Sequence, residues 1–222
     1  MKTIGEKPSG TDEVACAMLH ANVVTTVIKK DQKNIAIRPG EYHISDRHVL
    51  IETLLGSCVA ACLYDPVNRV VGMNHFLLSA RRYSREAPLC MTEAGRYGVH
   101  AMELLINGMF KLGAHRGHLR AKVFGGGSFF RSSDPSDNFL CVGEVNSRFI
   151  LEFLEKDGIP LVARDLGGDR GRRIYFSSDD YSVTVKKTKM IAVSGVLRQE
   201  KRYWLKSMAW HEQGAEEADL WD

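Results

Sequence analysis

The stretch from Glu52 to Leu78 constrains the fold most. It carries apolar, partly β-branched runs separated by Gly56-Ser57 and by Asp65-Pro66-Val67-Asn68. Val49–Leu54, Cys58–Tyr64 and Arg69–Leu78 read as strands, and the Asp-Pro turn joins the last two into an antiparallel hairpin. With a symmetric turn of two or four loop residues, Asp65 faces Asn68, Tyr64 faces Arg69 and Cys58 faces His75. Directly opposed residues share a face, with Cβ atoms about 4.5–5.5 Å apart. The hairpin thus predicts a Cys–His pair; a one-residue slip would turn His75 to the other face.

Such a pair has an obvious chemistry. A cysteine attacks as its thiolate, and a neighbouring imidazolium lowers the thiol pKa. The same imidazole can protonate a leaving amine. The Gly56-Ser57 turn before Cys58 offers the backbone N–H groups of Gly56, Ser57 and Cys58 as an oxyanion hole. A third group usually orients the histidine. Glu52 and Thr53 are the candidates on the preceding strand; they face opposite sides, so at most one reaches. Equally, Val59-Ala60-Ala61-Cys62 after Cys58 reads as a buried strand in which the thiol is only a small hydrophobe.

The remaining elements follow from periodicity. Thr92–Leu112 places Val99, Met102, Leu105, Ile106 and Phe110 at helical spacing and stops at Gly113. Ala121–Phe124 is a short strand running into Gly125-Gly126-Gly127. Asp134–Asn138 is a polar loop, and Asn146–Lys156 is a second amphipathic helix ending at Gly158. Ile159–Asp165, Arg173–Phe176 and the alternation around Val183 and Val185 are strands. The class is α+β with largely antiparallel pairing. Residues 1–35 form an N-terminal extension, 36–195 the main domain, and 196–222 a tail that reads first as a helix packed on the core with an acidic end and second as a partner-binding tail. All three tryptophans, Trp204, Trp210 and Trp221, lie in that tail.

Composition excludes several classes. With 30 Lys+Arg against 27 Asp+Glu, the net charge is +3, which gives no basic footprint for nucleic acid. No run approaches the roughly 18 apolar residues of a membrane span, and Asp12 and Glu13 before a polar-interrupted stretch do not suit a secretion signal. Five irregularly spaced cysteines do not make a disulfide framework. Reduced thiols and a cytoplasmic location are expected.

Other motifs carry less. The Cys58/Cys62 spacing within one strand suits tetrahedral ligation poorly, and His115 and His118 have no acidic or thiol cluster beside them in sequence, so no metal is expected. Gly125-Gly126-Gly127-Ser128 lacks the Lys-Ser/Thr of a P-loop and reads as a turn needing positive φ or close backbone approach. Arg170, Arg172 and Arg173 in the loop after Gly167 are either solvated or available to an acidic surface.

The segment Thr53-Leu54-Leu55-Gly56-Ser57-Cys58-Val59-Ala60-Ala61-Cys62-Leu63-Tyr64-Asp65, followed by Gly72-Met73-Asn74-His75-Phe76-Leu77-Leu78, resembles the signature of the CheD family, chemoreceptor glutamine deamidases of bacterial chemotaxis. Lys122-Val123-Phe124-Gly125-Gly126-Gly127 and Leu166-Gly167-Gly168-Asp169-Arg170-Gly171-Arg172 are similar to its further motifs. The resemblance spans about residues 36 to 190. It implies a cysteine-hydrolase fold, a sheet sandwich flanked by helices, and a Cys–His–Thr triad without cofactor. Cys58 and His75 carry over directly. The family's threonine falls at Glu52 here, with Thr53 one place closer to the cysteine. Either the strand shifts by one residue, or Glu52 takes the orienting role, or the triad is weakened. Val145, in Gly143-Glu144-Val145-Asn146, also departs from the family pattern. The implied partners are the cytoplasmic helices of chemoreceptors, as substrate, and a chemotaxis phosphatase of the CheC type. A non-catalytic adaptor docking on either is the competing expectation.

Overall fold

The computed structural model describes residues 32–78, 89, 92–128, 142–188, 194–195 and 197–207. The elements are β1 (Lys33–Ala36), β2 (Tyr42–Ser45), β3 (Val49–Leu55), β4 (Val59–Asp65), β5 (Val70–Asn74), α1 (Glu93–Lys111), β6 (Arg120–Gly125), α2 (Val142–Lys156), β7 (Leu161–Leu166), β8 (Gly171–Ser177) and β9 (Val183–Thr188). Residues 197–207 are helical as well.

The strands form two sheets, ordered β1-β3-β8-β9 and β2-β5-β4-β6-β7. Pairing is antiparallel except for β1 with β3 and β6 with β7. The second exception follows from connectivity: α2 lies between β6 and β7, and a helical crossover returns the chain parallel. Ile51, Leu55, Ile174 and Phe176 of the first sheet meet Ala60, Cys62, Val71 and Met73 of the second. The other face of the second sheet carries Val59, Ala61 and Leu63 against Met102, Leu105 and Met109 of α1 and Phe149, Ile150 and Phe153 of α2. The described residues thus form an α+β sandwich with α1 and α2 on the outer face of the second sheet, while Tyr203 and Trp204 of the helical segment 197–207 pack against the core between the sheets. β4 is the middle layer's central strand, buried on both faces, which is why its sequence is a continuous run of small apolar residues.

Three expectations need correction. Asp65 pairs with Val70, not Asn68, so the hairpin register is displaced by two residues. Asp65 Oδ1 accepts from the N–H groups of Val67 and Asn68 at 2.9 Å each, and Arg69 takes φ +57°. This Asx turn makes a four-residue loop. A displacement by two keeps every side chain on its face, so Cys58 and His75 still share one. Second, β5 ends at Asn74 rather than running to Leu78. Asn74 Oδ1 accepts the Ala61 N–H at 3.1 Å and interrupts the ladder, which resumes only as the single bridge Val59–Phe76. Third, α2 starts at Val142, four residues before the expected Asn146, and Gly143 in its first turn packs directly on Gly126 and Gly127. The short strands β1 and β2 carried no strong sequence signal. The Asp134–Asn138 loop, Trp210 and Trp221 lie outside the described residues, as do Cys16, Cys90 and Cys141.

Candidate active site

Gly56, Ser57 and Cys58 turn the chain from β3 into β4. All three carbonyls are tied down from behind. Gly127 N–H donates to Gly56 O at 2.9 Å, Asn146 Nδ2 to Ser57 O at 2.9 Å, and Gly126 N–H to Cys58 O at 2.7 Å. The glycine triplet is required for this. Gly125 sits at φ +118°, and a Cβ there would lie 2.2 Å from Cys58 O. The expectation of positive φ and close approach holds, and the object approached is the cysteine turn. With the carbonyls held on one side, the N–H groups converge on the other. A carboxylate fills that spot: Glu200 Oε1 accepts from Gly56 N–H at 2.8 Å and from Cys58 N–H at a long 3.5 Å. Glu200 Oε2 accepts from Ser57 N–H and Ser57 Oγ, both at 2.8 Å.

His75 sits opposite, between the end of β5 and the Val59–Phe76 bridge. Its N–H donates to Glu41 O at 2.9 Å, and its carbonyl accepts from Gly40 N–H at 2.8 Å. These bonds fix the backbone, and Thr53 fixes the ring: Thr53 Oγ1 lies 2.8 Å from His75 Nδ1 and 2.8 Å from Ile37 O. Thr53 is buried, whereas Glu52 points the other way, with its carboxylate 3.7 Å from Arg173. Of the two sequence candidates, Thr53 is the one that contacts the imidazole.

Cys58 Sγ, a ring nitrogen of His75 and a carboxylate oxygen of Glu200 lie within 4.8 Å of one another. Nδ1 is held by Thr53 and Nε2 has no hydrogen-bond partner, so Nε2 is the nitrogen left to face the thiol. Burial pushes the Cys58 thiol well above its ordinary pKa, and the adjacent Glu200 carboxylate pushes it further. Burial lowers His75 to about 3. Burial also raises the Glu200 carboxyl, against the hydrogen bonds from Ser57 and Gly56, which lower it.

A cavity of about 160 Å³ opens beside this cluster, lined among others by Arg38, Glu52, Thr53, His75, Arg173 and Gln199. That is below the usual range for small-molecule pockets of roughly 300–1,000 Å³ and suits a side chain. The Cys58–His75–Glu200 trio has donor types a metal ion would accept, but both carboxylate oxygens are already committed to N–H and O–H donors. His118 Nδ1 lies 3.6 Å from Asp65, and His115 is exposed beside it. Cys62 is buried in the core facing the other sheet. In the arginine loop, Arg172 is no surface residue. It is buried and donates to Asp165 Oδ1 at 3.0 Å and to the carbonyls of Asp165 and Gly167. It folds the loop, and Arg170 and Arg173 are its more accessible members.

Two residues escaped the sequence reading. Asn146 bridges Ser57 O and Leu78 N–H; its position on the buried face of α2, where an amide is unusual, was the available signal. Glu200 lies 142 residues from Cys58, and nothing in the local pattern of the tail marks it.

The family model for CheD chemotactic sensory transduction matches residues 81–187. That span begins beyond His75, so the match and the Cys58–His75 geometry are separate observations. A probable chemoreceptor glutamine deamidase CheD 1 of Geobacter sulfurreducens is 51% identical over 187 residues, covering 84% of this chain and 93% of that protein. The chain belongs to the CheD family. A CheD 1 of Shewanella oneidensis, described in the same words, is 45% identical over 176 residues, 79% of this chain and 82% of the relative. A probable chemoreceptor glutamine deamidase CheD of Ralstonia nicotianae is 36% identical over 189 residues, 85% and 77% of the two chains. These CheD matches cover more than three quarters of both partners, so the likeness extends well beyond the segment that the family model spans. Among the described residues, no helix is long and apolar enough to cross a membrane.

Proposed function

We propose that this chain deamidates glutamine side chains on the cytoplasmic helices of chemoreceptors, converting them to glutamate. The observation that carries the reading is the convergence of Cys58, a Thr53-held His75 and the N–H groups of Gly56 and Ser57 around one point, with a cavity bordering the Thr53 and His75 side of it. Membership of a family whose relatives are described as chemoreceptor glutamine deamidases supplies the substrate.

Cys58 is the nucleophile in this account. His75 Nε2 takes the thiol proton, and Sγ attacks the carboxamide carbon, forming a C–S bond. The N–H groups of Gly56 and Ser57, with Cys58 N–H, receive the oxyanion. His75 then gives its proton to the amide nitrogen, the C–N bond breaks, and ammonia leaves. Water loses a proton to His75 and attacks the thioester; the C–S bond breaks and the thiol is restored. Thr53 is the positioning residue. No step calls for a metal or organic cofactor. Each turnover replaces a neutral amide by a carboxylate on a receptor helix, where like charges three or four residues apart repel.

A CheC-type phosphatase belongs to the same reading as a docking partner, on the strength of the family resemblance alone. The competing role, an adaptor without catalysis, is separated by Cys58→Ala. In a deamidase this variant abolishes ammonia release from a receptor cytoplasmic fragment while co-sedimentation with the fragment persists. Equal ammonia release by wild type and variant would sink the assignment of Cys58.

A further inference from the structure

Segment 197–207 lies outside the family-model match, and its sequence reads as a helix packed on the core or as a partner-binding tail. Its placement is more specific. Glu200 is fully buried, and its carboxylate takes the three N–H groups that the deamidase reading gives to the oxyanion, that of Cys58 at a long 3.5 Å, plus the Ser57 hydroxyl. A buried carboxylate is strongly disfavoured without such donors. The approach depends on Gly56, where a Cβ would lie 2.7 Å from Glu200 Oε2 and 2.7 Å from Leu197 Cδ2. One turn further on, Tyr203 lies against Gly40, where a Cβ would meet its ring at 2.6 Å. Gln199 borders the cavity beside Thr53 and His75.

We infer that the helical segment 197–207 is a built-in product analogue: it seats a glutamate side chain, carried on a helix, in the acyl subsite and so holds the enzyme closed. The inference rests on the deamidase reading and adds to it the form in which substrate is read. A glutamate with its carboxylate against the nucleophile and the oxyanion amides is the product of glutamine hydrolysis, still bound. The segment marks the subsite as one for a helix-borne glutamine with an apolar residue three positions before it, the place of Leu197. Receptor helix and segment cannot occupy the site together, so the segment must leave before substrate enters.

The test uses the full chain. Glu200→Gln turns the docked product into a tethered substrate: its amide oxygen takes the Gly56 and Cys58 N–H groups and its NH2 donates to Ser57 Oγ, while Ser57 N–H loses its acceptor. Peptide mapping of this variant should show position 200 converted to the acid, at a rate independent of protein concentration, and unconverted when Cys58→Ala is added. Glu200→Ala should raise the rate of Cys58 alkylation by iodoacetamide by about tenfold or more, the order expected when hydrogen bonds to a buried charge are lost. If the Glu200→Gln variant deamidates an added receptor fragment yet keeps its own amide, the inference is overturned and the deamidase reading stands. If neither amide is converted, the deamidase reading falls and takes the inference with it. Conversion that depends on protein concentration, or alkylation unchanged in Glu200→Ala, also overturns the docked-product account.

Discussion

Thr53 Oγ1 donates its only hydrogen to the Ile37 carbonyl, 2.8 Å away, so it can only accept from His75 Nδ1, which lies 2.8 Å on its other side. The imidazole is fixed as the Nδ1–H tautomer, and its Nε2 lone pair is left for the thiol. Thr53→Ala should lower kcat on the order of 10- to 100-fold, because the ring loses its orientation and tautomer. Thr53→Ser keeps the hydroxyl and should restore most of the rate. Glu52→Ala, which loses only the contact to Arg173, should cost less than Thr53→Ala. Steady-state kinetics on one receptor fragment ranks the three, and a Glu52→Ala defect equal to that of Thr53→Ala would contradict the assignment.

His75 should leave a mark on acid stability. Its folded pKa is depressed to about 3 by burial, against about 6.5 in an unfolded chain. The unfolded state takes up a proton below pH 6.5 that the folded state refuses. The contribution is complete above pH 6.5 and is lost as pH falls toward 3, at up to ~1.4 kcal/mol per pH unit from this group. Urea unfolding at pH 7 and pH 5 should show a loss about 2 kcal/mol larger for wild type than for His75→Gln. Equal losses would mean that His75 is solvated or charged in the folded chain.

Asn146 ties the cysteine turn at Ser57 to Leu78, in the segment beyond the end of β5. Asn146→Ala leaves a buried N–H and a buried carbonyl without that amide and should destabilise the fold by about 2–4 kcal/mol. It should also lower kcat more than it raises KM, since the turn that presents the oxyanion amides loses a tether. Chemical denaturation and a substrate titration read the two effects separately.

Both described thiols are buried with their pKa pushed up, so both should resist alkylation in the wild-type chain; they differ in what their removal does to turnover and in their response to Glu200→Ala. Cys62 packs between the sheets, with its pKa pushed up by burial. It should resist alkylation under native conditions, and Cys62→Ala should turn over receptor fragment at close to the wild-type rate with a modest loss of stability. Cys58→Ala should remove turnover with little loss of stability. Alkylation mapping by peptide mass on wild type and Glu200→Ala, with and without denaturant, checks the contrast, since Cys58 alone should gain reactivity in that variant.

Much of this was readable in the chain because faces alternate with period two. Cys58 and His75 share a face in any register that differs by an even step, so the pair survived a wrong turn pairing at Asp65. The choice between Glu52 and Thr53 was open for the complementary reason. It depends on which face of β3 looks toward the other sheet, and that is set by pairing with β8 and β1, far away in sequence. The glycine triplet announced unusual backbone, but not that the Cys58 carbonyl was what it made room for. Arg172 looked like a surface charge because nothing local shows that the loop carbonyls of Asp165 and Gly167 fold around it. Glu200 was invisible for the plainest reason: a buried carboxylate is recognised by its donors, and these are backbone N–H groups of the turn before Cys58, which carry no sequence signature.

The central claim is that Cys58 hydrolyses receptor glutamine amides. Its most direct test is peptide mass mapping of a purified chemoreceptor cytoplasmic fragment after incubation with wild type or Cys58→Ala. The account predicts glutamine-to-glutamate conversion at discrete helix positions with wild type and none with the variant. A fragment that binds the wild-type chain but keeps every glutamine, with the Glu200→Ala variant equally inert, would contradict it.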